Sequence, residues 1–135
     1  MAEKKKDDVF AAFVAKAAQR IRDNKVRKTE RLYVPSLDQE ITIQSLLYPE
    51  IVECTEIEDA NDPNKADKYT IYLSVVEPNL KDVAVELKNN GDIKEYTEIV
   101  DMFSMSEISE IAMEIMKLSG VVGNKKVTVV SELKN

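Results

Sequence analysis

Between residues 7 and 23 the apolar positions recur at steps of one, three and four. Val9, Phe10, Phe13, Val14, Ala17 and Ile21 therefore gather on one side of a predicted helix. Lys16, Arg20 and Arg22 take the remaining positions, while Asp7 and Asp8 stand near the start, where the helix dipole favours acid. Asn24 to Glu30 is polar and aperiodic and reads as a linker. A tethered helix with two phenylalanines must dock on the body, on another copy or on a partner, because a patch of that kind marks an interaction surface.

From residue 31 the period changes to two. Leu32 and Val34 alternate with Arg31 and Tyr33, Pro35-Ser36-Leu37-Asp38 interrupts, and Ile41 and Ile43 then alternate with Glu40, Thr42 and Gln44. This predicts a β-hairpin over residues 31–45, which needs helices or another sheet against it because two strands alone are marginal in water. Pro49, Ile51, Val52 and Cys54 suggest a short helix with proline near its first turn. Asp59 to Asn64 is a loop without the EF-hand spacing for calcium. Lys68 to Val76 satisfies both a strand alternation (Tyr69, Ile71, Leu73, Val75) and a helical stripe (Tyr69, Tyr72, Leu73, Val76), and β-branched content leans to strand.

The rest reads as helices. Leu80, Val83, Ala84 and Leu87 form one stripe that stops at Asn89-Asn90-Gly91, and Tyr96, Ile99, Val100 and Phe103 form a second. The longest stripe is Met105, Ile108, Ile111, Ala112, Ile115, Met116 and Leu118, with Ser104 or Ser106 as its cap and Gly120 as its stop. In the tail, Lys125 to Asn135, Val127, Val129, Val130 and Leu133 fit a strand entering a last helical turn. The expected class is mainly α: a small helical domain over residues 29–135 with a short N-terminal β-hairpin, preceded by a basic helix and linker over residues 1–28.

Charge divides the chain the same way. The net charge is −6, but residues 1–28 hold nine Lys/Arg against four Asp/Glu, while the remainder holds ten against twenty-one. An acidic body argues against binding a phosphate backbone, and the basic head fits a solvated face better than a nucleic-acid site. No apolar run approaches the roughly 20 residues that cross a bilayer, and the start of the chain lacks the apolar core of a secretory signal. With one cysteine, a reducing cytoplasm is the expected compartment.

Catalytic chemistry is hard to assemble from these residues. There is no histidine, three glycines offer no phosphate cradle, and the common nucleotide, hydrolase and zinc motifs are missing. Cys54 fits a packing position better than a reactive one, and Glu107, Glu110 and Glu114 fit a solvated ridge better than a metal site. No enzyme activity, cofactor or metal is expected.

Several segments in order resemble XkdN-like phage tail assembly chaperones. They are Val34-Pro35-Ser36-Leu37, Ile71-Tyr72 with Val76-Glu77-Pro78-Asn79-Leu80-Lys81-Asp82, Ile99 to Phe103, Ser106-Glu107-Ile108, Leu118-Ser119-Gly120 and the closing Glu132-Leu133-Lys134-Asn135. The resemblance covers roughly residues 31–135; this chain has Ser106 where the family usually has glycine. It implies a mainly helical fold, which tips residues 66–76 towards helix. It also implies a non-enzymatic protein of the host bacterial cytoplasm that binds the tape measure protein of a phage or prophage during tail assembly and is absent from the mature virion. The major tail tube protein is a second candidate partner and a homo-oligomer a further option; no membrane or nucleic-acid partner is implied. The alternative is a structural tail or baseplate component, or a general adaptor. The residues expected to meet a partner are Phe10, Phe13, Val14 and Ile21 on the first helix, and Met105, Ile108 and Met116 on the long one.

Overall fold

Strand β2 (Gln39–Gln44) lies at the middle of the sheet, antiparallel to β1 (Thr29–Val34) on one side and to β3 (Val75–Glu77) on the other. The computed structural model describes residues 2–123 and 127–133. The expected hairpin is present, with Leu32 opposite Ile41 and Val34 opposite Gln39. Its alternation sorts the side chains: Val34, Ile41 and Ile43 are buried while Arg31, Tyr33 and Glu40 face water. Asp38 closes the turn in the left-handed region (φ 49°), which short polar side chains tolerate, and accepts a hydrogen bond from Tyr33 Oη at 2.6 Å.

The segment that fitted both periods contains both structures. Helix α3 (Lys65–Ser74) runs into β3, so the expected helix over residues 66–76 holds to Ser74 and fails at Val75 and Val76. Two constraints end it there. Pro78 disfavours helical geometry in the residue before it, and the open edge of β2 supplies partners for an extended β-branched pair. The result is a three-stranded sheet in place of a lone hairpin.

Around the sheet, α2 (Tyr48–Thr55) carries Pro49 in its first turn and puts Cys54 in the core. Helix α4 (Leu80–Asn89) starts where Asn79 Oδ1 accepts from the Lys81 and Asp82 amides at 3.1 and 3.3 Å. The stripe at Tyr96 to Phe103 is a 3-10 helix (Tyr96–Met102), with Ile99, Val100 and Phe103 buried. In α5 (Met105–Leu118) the cap is Ser104, not Ser106: Ser104 Oγ accepts from the Glu107 amide at 3.2 Å, and Glu107 Oε1 accepts from the Ser104 amide at 2.9 Å. Gly91 and Gly120, at φ 82° and 81°, end α4 and α5 with the same pair of backward amide bonds.

The strand expected in the tail is not formed at residues 127–129, which pair with none of the strands among the described residues; a short α6 (Val130–Leu133) follows. The expectations for residues 124–126 and for Lys134 and Asn135 lie outside the described residues. At the other end, α1 (Ala2–Lys25) is longer than the expected helix over residues 7–23. The linker shrinks to residues 26–28, because Thr29 and Glu30 belong to β1.

Three serines fasten the end of β2 to its neighbours. Ser74 Oγ donates to the Gln44 carbonyl at 2.6 Å and accepts from the Gln44 amide at 3.2 Å, extending the ladder just before β3 begins. Ser45 Oγ accepts from the Lys28 amide at 2.8 Å. Ser119 Oγ accepts from the Leu46 amide at 2.8 Å and donates to the Ile115 carbonyl at 2.6 Å, tying in the end of α5. Ser74 is fully buried, so removing its hydroxyl strands two backbone groups away from water. Ser74→Ala is expected to cost about 1–3 kcal/mol, and the more exposed cap change Ser104→Ala about 1 kcal/mol. Denaturant unfolding of both variants, compared at constant slope, checks that order.

Candidate functional site

Helix α1 owes its length to local chemistry. Ala11, Ala12, Ala15, Ala17 and Ala18 are the best helix formers, and Gln19 donates to Asp23 at 2.8 Å one turn on. Among the described residues nothing in the body covers its apolar face. Val9, Phe10, Phe13, Val14 and Ile21 keep between 51% and 72% of their surface exposed, a contiguous apolar face in water. Lys16 and Arg20, one turn apart, follow one edge of that face, and Lys6 lies within it beside Val9, Phe10 and Phe13. None of the three lies within ion-pair distance of a carboxylate among the described residues.

The root of the helix, by contrast, is fixed. Arg27 Nη1 donates to Glu50 Oε1 at 2.7 Å and to the Ser45 carbonyl at 3.1 Å. The Ser45 amide also donates to the Lys28 carbonyl at 2.8 Å, the reciprocal of the Ser45 hydroxyl contact. Partial burial pushes the Glu50 carboxyl up, but the Arg27 guanidinium and the Leu47 amide outweigh it and hold the group below its ordinary value of 4.5. Beside this clamp lies a groove of roughly 850 Å³, lined among others by Arg20, Val26, Tyr48, Ile51, Leu118 and Val121. No protein-family profile, curated protein or solved structure matches this chain.

The structure separates the residues expected to meet a partner. Phe10, Phe13, Val14 and Ile21 lie together on the open face of α1. On α5 only Met105 does so, at 70% exposed; Ile108 is 2% exposed in the core and Met116 packs against the core. Ile108 and Met116 are therefore corrected from partner contacts to packing residues: the apolar stripe of α5 faces the sheet and α3. Met113, half exposed, was missed because it lies off that stripe. It interrupts an otherwise polar face beside Glu110 and Glu114, and that interruption was the available signal.

The candidate chemical groups are otherwise engaged. Cys54 is buried and its thiol pushed up by that burial, although the neighbouring Thr70 hydroxyl pulls the other way, so it fits a packing position. Glu107 accepts from Ser36 Oγ at 2.6 Å, and that bond and its capping role hold its carboxyl below the usual range. Glu114 pairs with Lys117 at 3.5 Å. Among the described residues no three His, Cys, Asp or Glu side chains are grouped to hold a metal ion, and no helix is long and apolar enough to cross a membrane.

Because α1 lacks a dock, deletion of residues 1–25 is expected to shift the unfolding free energy of the body by less than about 0.5 kcal/mol, read by urea unfolding. The clamp carries a pH signature. Folding lowers the Glu50 pKa, so its stabilisation is present above pH 4.5 and is lost as pH falls through the folded value. Glu50→Gln is expected to flatten the loss of stability on that acid limb relative to wild type, and identical limbs would refute the assignment.

Proposed function

We propose that this chain is a tail assembly chaperone of a phage or prophage, a non-enzymatic protein that binds the tape measure protein while the tail is built. The observation that carries this reading is the apolar face of α1, held out by a clamped root with two phenylalanines exposed. The ordered resemblance to XkdN-like chaperones over residues 31–135 supplies the client and the setting, the host bacterial cytoplasm.

The physical mechanism is temporary cover. A long helical client exposes apolar stripes until tube subunits surround it, and an amphipathic helix lays its own apolar face along such a stripe. The open face of α1 spans about 16 Å from Phe10 to Ile21 at helical rise. A contact this short has modest affinity, which suits a chaperone that must leave when the tube closes. The rigid body keeps the helix root in place, so the face is presented without ordering the rest of the chain.

Co-expression with tape measure fragments tests the reading. The wild-type chain should co-purify with a fragment, Phe10→Asp/Phe13→Asp should lose it while unfolding at the same midpoint, and purified tails should lack the protein. Recovery of the chain from finished tails in stoichiometric amount would favour a permanent tail component.

A further inference from the structure

The groove beside the root continues a stripe of α1. Val9, Phe13, Lys16, Arg20 and Asn24 follow one another at steps of four, three, four and four, which places them on one side of the helix. Arg20 and Asn24, at the root end, also line the groove. Beyond them Val26, Tyr48 and Val121 keep 67%, 78% and 51% of their surface exposed on the groove wall. The path is therefore apolar at both ends and basic between them. Lys16 and Arg20 stand one turn apart, and Lys28 also lines the groove. None of these three cations lies within ion-pair distance of a carboxylate among the described residues. Asp23, the acid in the groove lining, already accepts from Gln19. Like charges one turn apart repel, and that cost is relieved only when an anion comes to them.

We propose that a single helical segment of a partner occupies this whole path, with apolar side chains at both ends and two carboxylates one turn apart between them. At one end it meets Val9 and Phe13, in the middle its carboxylates meet Lys16 and Arg20, and its far end enters the groove against Val26, Tyr48 and Val121. Val9 to Asn24 spans about 22 Å at helical rise, so a partner helix of roughly 20 residues covers the stripe and reaches the groove. Charge selects the occupant: a basic helix is repelled by the three cations, and an acidic edge is drawn to them. A flat anionic lipid surface cannot follow the stripe into a recess between α1 and the body. That the segment belongs to a tape measure protein rests on the function proposed above; its order of apolar, acidic and apolar residues does not.

Two synthetic helical peptides of that length test this on the full-length protein. One carries leucines at both ends and two glutamates one turn apart between them; the other has lysines for the glutamates. Titration at low salt should favour the acidic peptide by about tenfold, and Lys16→Glu/Arg20→Glu should reverse the preference. Tyr48→Asp/Val121→Asp should weaken the acidic peptide by about tenfold although Val9 and Phe13 are intact. All four substituted side chains are exposed, and unchanged unfolding midpoints would show that the variants fold. Equal affinity for the two peptides, binding of neither, binding to phosphatidylglycerol vesicles alone, or a groove variant that binds as wild type would each overturn the proposal. Binding of the acidic peptide by a chain that retains no tape measure fragment would count against the proposed function only.

Discussion

Three consecutive residues, Gln44 to Leu46, hold this fold together, because serine hydroxyls tie their backbone to α3, to the root of α1 and to the end of α5. A strand that leaves a sheet has backbone groups with no ladder to meet, and buried orphans of that kind are costly. Here short side chains supply the missing partners. The hydrophobic core follows from the same arrangement. With β2 fixed, Ile41 and Ile43 meet Ile71 of α3 and Ile108, Ile111 and Ile115 of α5 in one cluster.

The same joint explains why α1 is held out and not folded back. Lys28 pairs with Ser45 through both backbone and side chain, and Arg27 reaches across to Glu50, within three residues of the last turn of the helix. The short connection leaves α1 little freedom to swing its phenylalanines onto the body. Its apolar face thereby stays open to solvent. In this protein the part-buried polar contacts at the root determine where that face points.

Much of this was legible in the chain. Hairpin alternation, the Ser104-x-x-Glu107 cap and the glycine stops at Gly91 and Gly120 are local signals, and each corresponds to a local feature. Two of the losses share one cause. Val75 and Val76 join a sheet only because the edge of β2 is open, and Ile108 lies on a stripe whose destination periodicity cannot state. A stripe shows that a face is apolar; it does not say whether the body or a partner covers it. Met113 was overlooked for a different reason, since it lies off the stripe altogether. Most of the segments that carry the family resemblance also prove to be packing, capping and stitching positions. Ile71, Leu80, Val100 and Phe103 are in the core, Asn79 caps α4, and Ser119 holds Leu46. They speak to architecture, and the exposed apolar face of α1 lies outside them.

Hydrogen exchange of the dilute protein, with and without a tape measure fragment, addresses the central claim most directly. The account predicts that amides between residues 6 and 23 exchange fast in the free chain and become protected on binding, while those of β2 and α5 are protected throughout. Protection of α1 in the dilute free protein, or binding that leaves its amides unchanged, would contradict it.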